Sequence, residues 1–116
     1  NKSGETYIFM AFAAEPTPEP VLANSFKTVI YTGTGTTGGN TLPVTGFGFQ
    51  PDLVWVKNRD VAVNHYLYDS VRGVTKQIET NNTAAETTEA ESLTTFGTDG
   101  FTVGSLAQVN TNTESI

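Results

Sequence analysis

The chain has 116 residues, room for one domain with a modest core, because a chain of this size buries somewhat under roughly 70% of the surface it exposes when unfolded. Hydrophobic residues make up 37% and charged residues 16%, with Thr, Gly and Asn abundant, a composition that suits short strands joined by polar turns rather than helices. A formal charge of −6 with six scattered basic residues repels phosphate backbones and argues against nucleic acid as a partner.

The absence of cysteine removes disulfides and thiolate metal sites and permits an extracellular setting. The longest apolar stretch, residues 7–14, is far shorter than the roughly 20 residues a membrane helix needs, and no basic-then-apolar leader is present. The chain is therefore expected to be soluble, with no membrane partner. It does not start with Met and reads as a piece of a longer protein.

The first seven residues echo the last seven. Asn1 falls against Asn110, Glu5 against Glu114, Thr6 against Ser115 and Tyr7 against Ile116, at a constant offset of 109 residues. Each segment leads from a polar turn into an apolar position. Such a period is much longer than the roughly 20 to 50 residues of solenoids, so the units are expected to be whole domains in tandem. Residues 1–14 then read as the closing strand of a repeat, folding back as a permuted strand or completing a neighbour. Glu15-Pro16-Thr17-Pro18-Glu19-Pro20 has proline at every second position, which excludes helix and central strand. Residues 15–25 are expected to be an extended linker, about 19 Å long over those six residues in polyproline geometry, or else a stiff surface loop. Residues 26–116 form the repeat proper.

Phe26-Lys27-Thr28-Val29-Ile30-Tyr31 is β-branched and aromatic and predicts a strand, with Phe26, Thr28 and Ile30 on one face and Lys27, Val29 and Tyr31 on the other. A Gly/Thr loop follows, then a short strand over 41–45 whose Pro43 places it at a sheet edge. Residues 52–58 carry four successive apolar positions, Leu53 to Val56, as expected of a central strand covered on both faces. His65-Tyr66-Leu67-Tyr68-Asp69 alternates, with Leu67 on one face and the tyrosines on the other, and predicts a half-buried strand. Residues 79–91 are acidic and rich in Thr, Asn and Ala, and Thr83 with Glu86 has the spacing of a capping box for one helical turn. Thr98-Asp99-Gly100 between apolar stretches predicts a hairpin. Many short strands separated by turns about ten residues apart indicate an all-β fold, a two-sheet antiparallel β-sandwich of jelly-roll type.

Chemical motifs are weak. Gly33-Thr34-Gly35-Thr36-Thr37-Gly38 matches a dinucleotide fingerprint by letter, but Gly39, Asn40 and Pro43 leave no room for the helix whose N-terminus would meet a pyrophosphate, so a hairpin loop is expected. His65, Asp69 and Ser70 are triad residue types too close in sequence to form a triad, since an extended strand separates His65 from Asp69 by roughly 13 Å. Asp69 and Arg72 flank a turn and are expected to pair. The carboxylates Asp52, Asp60, Asp69 and Asp99 are dispersed and have no calcium-loop spacing. Trp55 reads as core; Tyr66 and Tyr68 are better candidates than Trp55 for aromatic platforms, but core or rim packing is expected of them too. No catalytic residue, cofactor or metal is expected. The residues singled out for ligand contact are Asn58, Arg59, His65 and Tyr66.

Residues 48–59, Gly48-Phe49-Gln50-Pro51-Asp52-Leu53-Val54-Trp55-Val56-Lys57-Asn58-Arg59, with His65 to Gly73 and Asp99 to Gly104, resemble a repeat domain of unknown function found in tail fibre and structural proteins of marine and cyanobacterial phages. Ser3-Gly4-Glu5-Thr6-Tyr7-Ile8 is similar to the pattern that ends that repeat, although the family usually places a Trp in the closing strand and this chain has none there. The resemblance implies a lectin-like jelly roll on a virion surface, one unit of a tandem array, and no catalytic residues to carry over. The leading expectation is a non-enzymatic structural module of a tail fibre or capsid decoration, whose partners are other repeats and other virion proteins. A carbohydrate-binding module for a host surface glycan is the second expectation, and a glycoside hydrolase is disfavoured because no two acids share a strand face at catalytic spacing.

Overall fold

The computed structural model describes residues 25–35 and 39–116. The leading strand expected over 6–14, nearly all of the linker expected over 15–25 and the end of the Gly/Thr motif lie outside the described residues. Seven strands and one short helix follow in chain order: β1 (Leu42–Thr45), β2 (Leu53–Val56), β3 (Tyr66–Asp69), β4 (Lys76–Glu79), β5 (Thr87–Thr88), β6 (Leu93–Gly97), β7 (Gly100–Val103) and α1 (Ala107–Asn110).

They form two antiparallel sheets, one of three strands in the order β1-β7-β6 and one of four in the order β2-β3-β4-β5. Alternation explains how the sheets share a core, because successive side chains of a strand point to opposite faces. Val44, Leu93, Phe101 and Val103 come from the first sheet, and Val54, Val56, Tyr66 and Tyr68 from the second; with Phe47, Val109 and Ile116 they make one buried cluster. This is the expected two-sheet β-sandwich.

Local chemistry fixes the turns. The β6–β7 hairpin forms at Thr98-Asp99 as the Asp-Gly signal predicts, and Gly100 has φ 146°. A Cβ there would lie 2.0 Å from the Val44 carbonyl oxygen, so only glycine fits. The Asp99 carboxylate accepts from the Gly46 N–H at 3.0 Å and the Gly48 N–H at 2.6 Å, and its carbonyl accepts from the Phe47 N–H at 3.2 Å. One residue thus latches the hairpin to the turn after β1. Those two N–H donors hold the Asp99 carboxyl below the usual carboxylate range. Pro43 lies in β1 at a sheet edge, as its missing N–H requires.

Asn110 organises the C-terminal side. Its side chain is fully buried, donates to the Gly104 carbonyl at 2.9 Å and accepts from the Thr34 N–H at 2.8 Å. Residues 113–116 then run antiparallel to 31–33: the Tyr31 N–H donates to the Ile116 carbonyl at 3.0 Å, the Ile116 N–H to the Tyr31 carbonyl at 2.9 Å and the Gly33 N–H to the Glu114 carbonyl at 2.9 Å. On their other side the Arg59 N–H donates to the Ser115 carbonyl at 2.9 Å. Gly33 is needed for this approach, since a Cβ would lie 2.0 Å from the Thr111 carbonyl oxygen. Its place in the fingerprint-like motif is explained by packing.

Three elements differ from expectation. Residues 26–31 are not a strand; only Tyr31 and Thr32 pair, with the 115–116 segment, because the other residues have no backbone neighbour among those described. Among the described residues β2 stands at the edge of its sheet rather than at its centre, with Val54 and Val56 buried and Leu53 and Trp55 exposed. Between Glu79 and Glu91 no helix forms: the Asn82 side-chain oxygen accepts from the Ala84 N–H at 2.7 Å and turns the chain into β5, an alternative that Asn offers the backbone in competition with helix. Among the described residues the helical turn is α1, pinned by Asn110.

Candidate functional site

A groove of about 780 Å³ lies between residues 25–31 and residues 52–57. Val29, Tyr31, Phe47, Phe49, Val54, Val56 and Phe101 line its interior, and Ile116 closes one end. The Tyr31 hydroxyl donates to the Val109 carbonyl at 2.9 Å, and burial pushes its pKa up, so it stays neutral. Lys27, Lys57 and Arg59 supply cations to the lining, opposed by Asp52.

One wall of the groove is the outer edge of β2. The Ser70 N–H donates to the Asp52 carbonyl at 2.9 Å, and antiparallel ladders alternate, so the backbones of Asp52, Val54 and Val56 face β3 while those of Leu53, Trp55 and Lys57 face the groove. The exposed apolar residues cluster on the same two walls: Phe26 at 65%, Ile30 at 66%, Leu53 at 62% and Trp55 at 66% relative exposure.

The residues singled out in the sequence divide into scaffold and surface. Asn58 is fully buried; its amide donates to Glu114, and its oxygen accepts from the N–H groups of Asp60 at 3.0 Å and Val61 at 3.3 Å. It fixes the turn after β2. Tyr66 is buried on the core face of β3, with its pKa raised by burial and by Glu79. Arg59 is exposed and donates to the Ser115 hydroxyl at 3.1 Å. His65 is half-buried, its ring 6.3 Å from that of Trp55. Of the four, only Arg59 and His65 offer surface to a ligand.

Trp55 reverses the expectation that it is core, whereas Tyr66 and Tyr68 pack in the core as expected. Tyr66 and Tyr68 are buried, and Trp55 is exposed on β2 with its indole N–H donating to the Thr80 hydroxyl at 3.0 Å. The physical reason is parity: Val54 and Val56 take the inner face, so the residue between them points out. A run of four apolar residues hides that alternation from sequence.

The triad residue types are not assembled. Ser70 donates to the Asp52 carboxylate at 2.8 Å, Asp69 pairs with Arg72 as expected, and Arg72 also reaches Glu86 at 3.1 Å. The Arg72 N–H and guanidinium hold the Asp69 carboxyl below its ordinary range. Among the described residues no group of three His, Asp or Glu side chains is placed to hold a metal ion.

No curated protein and no solved structure matches the chain. A family model described as a domain of unknown function, DUF7483, matches residues 22–116, which includes every described strand and the whole groove. The chain belongs to the DUF7483 family.

Proposed function

We propose that this domain is a structural repeat module of a phage virion surface protein, a tail fibre or capsid decoration, and that it acts by assembly and repeated display rather than by catalysis. The observation that carries this reading is the groove beside β2: a strand edge facing an apolar slot, flanked by Phe26, Ile30, Leu53 and Trp55, is a surface for polypeptide rather than for a small polar substrate. The offset of 109 residues between the chain's two ends and the resemblance of its motifs to phage repeats support tandem, virion-borne units. Many linked copies gain avidity from individually weak contacts. The test is mass spectrometry of density-purified virus particles. The tryptic peptide spanning residues 60–72 is expected to band with the particles, and its recovery only from host-cell fractions would reject the virion assignment.

A second reading is favoured by one specific observation. Trp55, held by Thr80 and flanked by His65, presents an aromatic surface of the kind that stacks on sugar rings. In this reading the module binds a host surface glycan, with Arg59 nearby in sequence as a polar contact. Retention on a glycan array that Trp55→Ala abolishes supports it, and equal retention of both proteins rejects it.

A further inference from the structure

We propose that the outer face of the four-stranded sheet binds an acidic saccharide of the uronic acid class, with the sugar ring on Trp55 and its carboxylate at Lys57 and His65. The proposal rests on the glycan reading of Trp55 and gives that reading a ligand class.

Strand register builds the face. Val54, Val56, Tyr66, Tyr68 and Gln77 take the inner side of β2, β3 and β4, so the residues between them turn outward. Trp55, Leu67 and Ile78 form one outward cross-strand row. Prolonging the same ladders places Lys57, His65 and Thr80 in the next row, and the Thr80 N–H donates to the His65 carbonyl at 2.9 Å in agreement.

The Trp55 indole lies down on this face. Its N–H donates to the Thr80 hydroxyl at 3.0 Å, and Thr80 continues β4, two strand spacings or roughly 10 Å from β2. A ring that reaches so far crosses β3 between His65 and Leu67 instead of standing up from β2. One indole face is thus turned to the sheet and the other to solvent, which accounts for the exposure of the residue and for the tilted His65 ring beside it. The indole also points away from the groove, which lies on the opposite side of β2, so polypeptide in the groove leaves the platform open. A flat aromatic surface with hydrogen-bonding groups at its rim suits a pyranose, whose faces are apolar and whose edges are polar.

The charge at that rim selects the sugar. The Lys57 ammonium donates to the Val61 carbonyl at 3.2 Å and the Val63 carbonyl at 3.3 Å, which fix it in place and leave its third N–H for a ligand. Among the described residues no carboxylate forms an ion pair with it: Asp69 and Glu86 are held by Arg72, and Asp60 accepts from the Ser115 N–H at 2.7 Å. The chain as a whole carries a charge of −6, but exposed charges farther apart than about 8 Å are largely screened at physiological ionic strength. The row beside Trp55 therefore sets the local sign. Lys57 and Trp55 are two residues apart on one strand, roughly 7 Å between Cα atoms, so the anion has to sit at the edge of the stacked ring. A uronic acid carboxylate is bonded directly to a ring carbon and falls there, whereas a sulfate ester stands one oxygen farther out.

Ligand-observed NMR titration of the full-length protein with trigalacturonate, with neutral galactotriose and with a sulfated galactan oligosaccharide tests the proposal. Trigalacturonate is expected to bind, more weakly as NaCl is added, and to exceed both other sugars. Lys57→Gln should weaken its binding roughly tenfold, Trp55→Ala should abolish it, and Lys76→Gln, at the far end of the sheet, should leave it unchanged. Equal binding of the acidic and neutral sugars, both lost in Trp55→Ala, would overturn the acidic class while leaving the glycan reading standing. Preference for the sulfated sugar would overturn the carboxylate assignment, and equal losses in Lys57→Gln and Lys76→Gln would overturn the placement. Binding of none of the three overturns the proposal, and the glycan array decides separately whether Trp55 takes another sugar. Because Lys57 also holds two loop carbonyls, the acidic-against-neutral comparison on the unsubstituted protein carries the test even where Lys57→Gln does not fold.

Discussion

The two ends of the sandwich satisfy their backbones differently. At the Asp99 corner a two-residue hairpin, a glycine that no other residue can replace, and one side chain collecting two N–H groups from the turn after β1, far away in sequence, close the backbone. At the groove, by contrast, the described walls, residues 25–31 and 52–57, are joined at only one end, by Ser115 and Ile116. Fixed hydrogen bonds tie the first region together. In the second, Phe26, Ile30, Leu53 and Trp55 stay exposed on the two walls. The lesson is that an exposed Trp55 beside a buried Val54 marks an interrupted sheet as readily as a ligand platform.

The comparison can be broken first at the core both regions share. Leu93→Ala removes a fully buried side chain and is expected to cost about 2–5 kcal/mol in chemical denaturation. A smaller loss, about 1–3 kcal/mol, is expected for Asn110→Ala, which strands the Thr34 N–H and the Gly104 carbonyl; it should loosen the groove side more than the Asp99 corner, as read by site-resolved hydrogen exchange. Tyr68→Phe deletes only the hydroxyl that meets Gln77 at 3.1 Å and should cost about 1 kcal/mol.

The Asp99 corner also predicts a pH dependence. Because the folded-state pKa of Asp99 is lowered, its contribution is fully present above the ordinary aspartate value and is lost as pH falls through the folded value. Asp99→Asn is expected to lower the melting temperature at pH 7 and to make its decline below about pH 4 shallower than in the unsubstituted chain. An unchanged acid slope would show that the latch contributes nothing. The smallest effects compare two exposed apolar residues. Val71→Ser, at a 94% exposed position, should stay within about 0.5 kcal/mol, whereas Leu53→Ser on the groove wall should cost about 1 kcal/mol through its cross-strand neighbours.

Much of the fold was legible in the sequence wherever signals are local. The Asp-Gly hairpin, the edge position of Pro43, the alternation of Tyr66, Leu67 and Tyr68 and the Asp69–Arg72 pair all follow from residues within a few positions of one another. In the acidic segment the capping-box spacing of Thr83 and Glu86 left a helical turn open, and the side chain that turns the chain instead is Asn82. The helical turn at Ala107–Asn110 has no side-chain cap to announce it. Of the candidate site, Arg59 and His65 were found at the surface, but Asn58 and Tyr66 were not, because burial depends on which sheet face meets the other sheet. The groove itself could not be read from periodicity, since its walls come together only in three dimensions.

Amide hydrogen exchange along β2, compared between the free protein and its assembled form, tests the central claim most directly, because neighbouring residues serve as controls. Val54 and Val56 face β3 and should exchange slowly in any case. With polypeptide taken up along the groove on assembly, Leu53, Trp55 and Lys57 should become protected to a comparable degree. Fast exchange at these three in the assembled form, alternating with slow exchange at Val54 and Val56, would show an open edge and contradict the claim that the groove is a surface for polypeptide.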